Sequence, residues 1–310
     1  MKKWGFLLLL CVSITLICIV SFFEPKFDTQ RIEVQKYDQS DDKAENSSVS
    51  ISSNDLHSNY VMLTRLNDNT NLMEKNSREK LYPASLTKIM TAIVAIENLS
   101  NLEEEIGLTH YTFNDLYVAN ASMAGFKPNE KVRAIDLLYG VLLPSGAEAG
   151  IGLADQIAGS EQSFVKMMNQ KAADLGMDNT HFTNTAGLHD ENHYTTAEDL
   201  TVLLKYALQN DIFREIFTSS RHSTKPTNKH ADGITFYSTM FEKLGNTRIT
   251  GGEILGGKTG YTDEAGLCLV SLAKVGNQEY ILITAGAKGD QNSKQYNITD
   301  ALAVYNSIGK

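Results

Sequence analysis

The first side chains in this sequence that could do chemistry together are a serine and a lysine three residues apart. They are Ser85 and Lys88, in the segment PASLTK at residues 83–88. Residues at this spacing share one face of a helix. A serine becomes a nucleophile when a base takes its proton, and a lysine can be that base if its surroundings lower its pKa. The spacing also occurs at Ser40 and Lys43, so a capping serine beside a solvated lysine remains an alternative.

A glycine-rich segment late in the chain supplies a second lysine. It reads GGKTGYT over residues 256–262, which places Lys258 and Thr259 between glycines. Glycines let a ligand or another backbone approach a strand closely, and a charge with a hydroxyl could hold a carboxylate. An exposed turn is the alternative here. Between the two motifs, Ser145 lies in a loop between predicted helices, where it could relay a proton from Lys88 or simply form a turn.

The periodicity of apolar residues predicts the elements that position these side chains. Helices are expected over 85–99, 135–143, 149–157, 164–175, 195–207 and 300–308. Strands are expected at 60–63, after residue 71, at 267–273 and at 280–285, with turns at 67–71 and 276–277. Because strands lie near both ends and helices in the middle, we predict a mixed α/β fold. One sheet would be built from both ends of the chain, with a helical cluster packed against it.

Taken in order, the three motifs resemble those of the serine penicillin-recognising enzymes. Longer segments look like the low-molecular-mass D-alanyl-D-alanine carboxypeptidases, and the resemblance covers about residue 58 to the C-terminus. These segments include LLPSG at 142–146, MMNQKA at 167–172, THFTN at 180–184, TAEDL at 196–200 and KTGYT at 258–262. The resemblance implies a β-lactamase/transpeptidase-like fold, in which an antiparallel sheet is flanked by helices. The site would lie between the sheet and a helical subdomain.

The resemblance also implies an acyl-enzyme mechanism. Ser85 would attack the carbonyl between the two D-alanines of a peptidoglycan pentapeptide, Lys88 would be the base, and Ser145 would pass the proton on. The last D-alanine would leave, and water would release the acyl group without a metal or cofactor. β-Lactams mimic the dipeptide and would inhibit the enzyme by acylating Ser85.

The late motif would form the substrate-binding side of the site. By resemblance, Lys258 and Thr259 hold the terminal carboxylate, and Gly260 belongs to the same motif. The N–H groups of Ser85 and Tyr261 would form the oxyanion hole. A β-lactamase of the same fold is an alternative function, although no motif supplies a recognisable deacylating carboxylate.

One position departs from the family pattern. The middle motif usually ends in an asparagine that touches the lysine and the substrate amide, and here that position is Ala147, followed by Glu148. An alanine can make neither contact, so the replacement puts the catalytic rate in doubt. It leaves a further alternative open, which is a catalytically weak receptor that binds wall peptides or β-lactams.

The N-terminus predicts the compartment. Two lysines precede residues 4–23, an uncharged run long enough to span a bilayer, and this charge asymmetry places the remainder outside the cell. We therefore expect a single-pass signal-anchor at 1–23, a polar linker at 24–57 and a penicillin-binding peptidase domain at 58–310. The catalytic domain would be extracytoplasmic on a bacterial cell membrane. Cleavage of the run as a signal peptide is the alternative.

Three features argue against a nucleic-acid partner, an internal disulfide and a metal site. The net charge of −9 does not favour nucleic acid as a partner. Cys268 is the one cysteine outside the N-terminal run, so we expect no internal disulfide. The segment HDENH at 189–193 has the histidine spacing of a helical zinc site. Its loop-forming neighbours instead favour a surface loop beside the cleft, and we predict no metal site.

Overall fold

The computed structural model describes residues 48–309. The predicted signal-anchor and most of the predicted linker lie outside these residues. Between residues 48 and 309, no helix is both long and apolar enough to cross a membrane.

A six-stranded sheet in the order β2-β1-β10-β9-β8-β7 forms the centre of the fold, and its strands pair antiparallel. These strands are β1 (Tyr60–Arg65), β2 (Thr70–Lys75), β7 (Arg248–Ile249), β8 (Gly252–Thr262), β9 (Gly266–Val275) and β10 (Gln278–Ala287). Strand β1 pairs with β10 from Tyr60 opposite Ala285 onward. The two ends of the chain therefore share one sheet, which confirms the predicted architecture. Two small hairpins lie outside it, β3 (Glu105–Gly107) with β4 (Lys131–Arg133) and β5 (Arg221–Ser223) with β6 (Thr235–Tyr237).

Helices cover both faces of the sheet. In chain order they are α1 (Lys88–Asn98), α2 (Tyr111–Val118), α3 (Ala134–Leu142), α4 (Ala147–Ala158), α5 (Glu161–Asp174), α6 (Ala197–Ala207), α7 (Asp211–Thr218), α8 (Thr239–Leu244) and α9 (Tyr296–Tyr305). The larger core lies between one sheet face and helices α1 to α7, and includes Ile89 and Val270. The smaller core joins the other face to α8 and α9, and includes Leu269 and Tyr305. Neighbouring residues of β9 belong to different cores, since successive residues of a strand point to opposite faces of the sheet.

Some predicted boundaries differ from the observed ones. The helix expected over 85–99 starts as a 3-10 turn at Ala84–Thr87 and becomes α-helical at Lys88. The last helix, expected over 300–308, runs from Tyr296 to Tyr305 instead. Helices α2, α7 and α8, strand β7 and the two small hairpins were not predicted, because elements of two to eight residues are too short for a periodic pattern to be recognised.

Residues just before the predicted domain boundary at 58 already contact the folded domain. Val49 forms a β-bridge with Ile308, and Ser50 N–H donates to the Ser307 carbonyl at 3.2 Å. Leu56 is buried in the smaller core. Residues 48–57 therefore pack on the domain, although the predicted linker extends to residue 57.

Candidate active site

The predicted nucleophile and base lie together at the start of α1. Ser85 belongs to the 3-10 turn, and Lys88 is the first residue of the helix. Lys88 Nζ donates to Ser85 Oγ at 3.1 Å and to the Ala186 carbonyl at 2.7 Å. The lysine side chain is thus fixed between the hydroxyl that it would deprotonate and a backbone acceptor.

Burial gives Lys88 the electrostatics of a base. Only 2% of the residue is exposed. Desolvation lowers its pKa to about 7, against an opposing effect of the carboxylate of Glu148. Because the charged form is disfavoured in a buried site, a substantial fraction of Lys88 is neutral near neutral pH. A neutral amine 3.1 Å from a hydroxyl can accept its proton.

Ser145 is placed at the same site by a tight turn between α3 and α4. Its φ is 68°, in the left-handed region that few residues other than glycine adopt. Gly146 N–H donates to the Gly140 carbonyl at 2.8 Å, which closes the turn. The Ser145 hydroxyl is buried, and Oγ has no hydrogen-bond partner among residues 48–309. Leaving a buried hydroxyl without a partner is unfavourable, so a molecule bound in the cavity that Ser145 and Ser85 both line would gain a hydrogen bond there.

A cavity of about 100 Å³ joins these residues to the edge of the sheet. Five of the seven predicted site residues line it, namely Ser85, Ser145, Thr259, Gly260 and Tyr261. Lys88 and Lys258 are both almost fully buried. The structure therefore brings the N-terminal and C-terminal motifs to one cleft, although they are far apart in the sequence.

Strand β8 forms one wall of the cleft because β7 covers only its first two residues. Its Gly260 lies directly against the nucleophile turn. A Cβ at this position would stand 3.1 Å from the backbone nitrogen of Ser85 and 3.1 Å from the Pro83 carbonyl oxygen. Only glycine allows the strand to approach the turn this closely. The predicted oxyanion hole, which needs the N–H groups of Ser85 and Tyr261 near each other, requires such an approach.

The side of the cleft that is predicted to bind the substrate carboxylate brings three lysines near one another. Lys258 Nζ donates to the Thr259 carbonyl at 3.0 Å. Burial holds the pKa of Lys258 well below its usual value, and the nearby Lys88 and Lys243 lower it further. Thr259 Oγ1 is 2.8 Å from Thr239 Oγ1. A substrate carboxylate would offset the repulsion among these three lysines.

Sequence reasoning missed several residues that line the cavity. They are Ser122, Thr239, Lys243, Gln295 and Asn297, together with Leu267 and Gln291. Lys243 Nζ donates to Gln295 Oε1 at 3.0 Å, which links α8 to the residue before α9. No motif marks these positions. Helix α8 has six residues, and the loop before α9 has no periodicity, so only the tertiary fold brings them to the cleft.

The family asparagine position is apolar in this chain. Ala147 is fully buried and packs with Leu116 and Ala186. The next residue, Glu148, is also buried, and its Oε1 accepts the N–H groups of Ala124 at 2.7 Å and Gly125 at 2.9 Å. Glu148 Oε2 has no partner within the described part of the chain, and burial raises the pKa of this carboxyl. Glu148 therefore supports the loop that contains Ser122 and leaves one oxygen unpaired.

The two histidines with zinc-like spacing have different environments. His189 is exposed, and its Nδ1 lies 3.7 Å from a carboxylate oxygen of Glu264. His193 is buried and hydrogen-bonds to Thr87, close to the nucleophile turn. The segment is not helical, as predicted, but only part of it is a surface loop. No cluster of three or more possible metal ligands occurs in residues 48–309.

The sequence and the fold have counterparts among known proteins. The family model described as D-alanyl-D-alanine carboxypeptidase matches residues 46–289. The chain belongs to this family of serine peptidases, which confirms the predicted resemblance.

Two curated relatives are 35% identical to this chain. D-alanyl-D-alanine carboxypeptidase DacF of Bacillus subtilis aligns over 220 residues, which are 70% of this chain and 54% of DacF. DacC of Escherichia coli aligns over 231 residues, covering 71% of this chain and 54% of DacC. The chain thus spans about half the length of these relatives.

Solved structures agree with the fold. The DD-transpeptidase of Streptomyces strain K15 superposes with a TM-score of 0.72 at 27% identity, over 81% of this chain and 97% of that one. A D-alanyl-D-alanine carboxypeptidase from Mycobacterium tuberculosis gives 0.70 at 26% identity, over 82% and 93%. The predicted transpeptidase-like fold is therefore confirmed.

Proposed function

We propose that this chain is a serine-type D-alanyl-D-alanine carboxypeptidase that acts on peptidoglycan peptides through an acyl-enzyme. The position of Lys88 carries the proposal, since its buried Nζ lies between Ser85 Oγ and the Ala186 carbonyl. Neutral Lys88 takes the proton of Ser85 as the hydroxyl attacks the carbonyl between the two D-alanines. Ser145, whose hydroxyl has no hydrogen-bond partner among the described residues, gives its proton to the departing amine of the last D-alanine and takes one back from Lys88. Water then hydrolyses the acyl-enzyme.

The substrate-binding roles follow from the opposite wall of the cleft. Lys258 and Thr259 hold the terminal carboxylate of the substrate, in an environment made positive by Lys243. The N–H groups of Ser85 and Tyr261 stabilise the oxyanion, because preorganised donors at this point lower the barrier to acyl transfer. Gly260 supports this role by allowing close contact between strand and turn.

Labelling with a fluorescent penicillin, combined with an assay of D-alanine release from a peptide ending in D-Ala-D-Ala, tests the function. We expect a stable label on Ser85 and release of D-alanine, with both lost in Ser85→Ala. Ser40→Ala is the matched control, because Ser40 has the same spacing to a lysine. Persistent labelling of Ser85→Ala at another serine would contradict the assignment.

The burial of Ala147 among apolar side chains favours one rival function. A weak receptor for wall peptides or β-lactams would be labelled at Ser85 but would release little D-alanine. A β-lactamase would lose the label quickly by hydrolysing the penicillin. The two assays together separate these outcomes from a carboxypeptidase.

The proposed location is the outer side of the bacterial cell membrane, with residues 1–23 as the anchor. The uncharged run at 4–23 and the lysines before it support this location. Full-length protein should sediment with membranes and resist extraction by high salt. A mature N-terminus beyond residue 23 in cells would show that the segment is a cleaved signal.

A further inference from the structure

The backbone just before the nucleophile is in an unfavourable conformation. Ala84 has a φ of 47°, in the left-handed region. A residue other than glycine persists there only when surrounding contacts hold it. Two such contacts converge on the Ala84 carbonyl. Thr87 Oγ1 donates to it at 2.8 Å, and Gly187 lies so close that a Cβ there would be 1.8 Å from the carbonyl oxygen.

A chain of hydrogen bonds with a fixed direction connects this carbonyl to His193. Thr183 N–H donates to His193 Nδ1 at 3.1 Å, so Nδ1 is the acceptor nitrogen of a neutral ring. The other nitrogen, Nε2, therefore carries the hydrogen and donates to Thr87 Oγ1, 2.7 Å away. The Thr87 hydroxyl hydrogen is then directed to the Ala84 carbonyl. A backbone donor fixes one end of the chain and a backbone acceptor fixes the other.

The surroundings of His193 keep the ring neutral and in place. The residue is 2% exposed, and its ring forms a T-shaped contact with Phe182, with the ring centroids 5.6 Å apart. Burial lowers the pKa of His193 to about 4, although the carboxylate of Asp190 opposes this effect. Protonation of Nδ1 would also place two hydrogen-bond donors against each other, because the Thr183 N–H group points at this nitrogen.

The same histidine contacts the loop that holds the base. Asn184 Oδ1 accepts the N–H groups of Ala186 at 3.2 Å and Gly187 at 2.7 Å, which shapes the loop that follows Thr183. The Ala186 carbonyl in this loop accepts the hydrogen bond of Lys88. His193 thus bonds to the beginning of the loop that orients Lys88 and to the side chain that fixes the turn before Ser85.

We propose that His193 is a positioning residue which, through Thr87, sets the distance and angle between Ser85 Oγ and Lys88 Nζ. The proposal rests on the proposed function, because it assigns His193 to the acylation of Ser85. Its hydrogen bonds go to Thr87 and Thr183, so it acts only through the turn and the loop.

The test compares acylation rates in Thr87→Val, His193→Phe and the double variant. Each single variant should acylate Ser85 with penicillin about 10- to 100-fold more slowly, because a small misplacement of reacting groups costs about that much. The dissociation constant of the complex formed before acylation should change less than about 2-fold. If the two residues act as one unit, the double variant should be no slower than the slower single variant.

Two further variants separate positioning from a general loss of packing. Thr87→Ser keeps the hydroxyl and should restore acylation to within about 3-fold of wild type. Thr201→Val removes another buried threonine hydroxyl, which donates to the Ala197 carbonyl at 2.9 Å within α6. It should lower Tm to a similar extent without slowing acylation. If His193→Phe does not fold, the comparison of Thr87→Val with Thr87→Ser decides the question.

Three outcomes would overturn the proposal. Thr87→Val could acylate at the wild-type rate, or the rate losses of the two single variants could multiply in the double variant. Thr87→Ser could also acylate as slowly as Thr87→Val. The proposed function is tested separately by the wild-type protein. If wild type labels at Ser85 and releases D-alanine while the variants are unaffected, only the role of His193 is wrong. If wild type does neither, the proposed function itself fails.

Discussion

At the scale of single residues, Lys88 determines how the proposed reaction depends on pH. Its pKa is lowered to about 7 by burial, and the deprotonated form is the base. The acylation rate should therefore rise as the pH increases through about 7, when Lys88 loses its proton. Penicillin acylation rates measured from pH 5.5 to 8.5 and fitted to a single ionisation give the pKa that controls this rise. A rate that falls over the same range would mean that the protonated lysine is the active form.

Glu148 should shift that pH profile. Its negative charge raises the pKa of Lys88, so Glu148→Gln should move the acylation profile to lower pH. Glutamine keeps an oxygen that can accept the N–H groups of Ala124 and Gly125, so the loop that they form should be retained. Glu279→Gln serves as a control for the loss of a carboxylate elsewhere, since Glu279 instead pairs with Arg214. An unchanged profile in Glu148→Gln would mean that the two residues are not coupled.

Restoring the family asparagine should not improve this site. Ala147 is fully buried against Leu116 and Ala186, so a larger side chain must displace its neighbours. Overpacking of this kind costs about 1–3 kcal/mol. We expect Ala147→Asn to lower Tm and to leave the acylation rate unchanged or lower, with Ala147→Gly as a small control. A faster acylation in Ala147→Asn would show that only the missing amide limits the rate.

The sequence predicts some site residues better than others for a physical reason. Ser85 and Lys88 are three apart, so local helical geometry already places them together. Lys243 and Gln295 meet only because α8 and α9 pack on the same face of the sheet, and no local spacing records that contact. The sequence predicts His193 in a surface loop beside the cleft, and only its spacing to His189 suggests a zinc ligand. Its actual partner, Thr87, is remote in sequence, so periodicity could not indicate it.

At the scale of elements, contact between strand β8 and the nucleophile turn decides whether the two motifs form one site. A Cβ on Gly260 would lie 3.1 Å from the Ser85 nitrogen, so Gly260→Ala must push strand and turn apart by a few tenths of an ångström. We expect acylation to fall about 10- to 100-fold, since rates depend steeply on the alignment of reacting groups. Gly107→Ala is the control, because a Cβ on this strand residue would meet nothing within 4 Å. Equal acylation rates in the two variants would contradict the close-contact model.

The longest strands were predictable because they are buried on both faces and are therefore apolar almost throughout. The sequence shows this as two apolar runs, β9 and β10, on either side of a turn at Gly276. The hairpins β3–β4 and β5–β6 have strands of three residues, too short to show alternation. The 3-10 start of the Ser85 helix was also not predicted. It begins at Ala84, whose left-handed backbone lies against Gly187, and that contact is remote in sequence.

At the scale of the whole domain, the sheet joins both ends of the described chain, so its stability depends on residues far from the cleft. Strand β1 pairs with β10, and residues 48–50 pair with the chain after α9. The predicted domain start at 58 came from the change in composition near Asn54, and a short polar segment can still pair through its backbone. Such pairing leaves no trace in hydrophobic periodicity.

This contact predicts where a truncated protein can begin. A protein starting at residue 58 lacks the Val49–Ile308 bridge, the buried Leu56 side chain and the hydrogen bond from Lys75 Nζ to the Leu56 carbonyl. Burial of one leucine contributes about 1.5–3 kcal/mol, and 1 kcal/mol corresponds to about 2–4 °C in Tm for a domain near this size. The protein that starts at 58 should therefore melt about 3–12 °C below the one that starts at 48.

Both truncated proteins should still be labelled by penicillin at 25 °C, because the lost contacts lie in the smaller core, whereas Ser85 and Lys88 lie at the start of α1. Leu56→Ala in the protein that starts at 48 separates the contribution of the buried side chain from that of the backbone pairing. This substitution should account for most of the decrease in Tm, because it removes the buried side chain and keeps the Val49–Ile308 bridge. Thermal melts of the three proteins, followed by circular dichroism, measure the effect. Equal melting temperatures for the proteins starting at 48 and 58 would show that residues 48–57 contribute nothing to the stability of the domain.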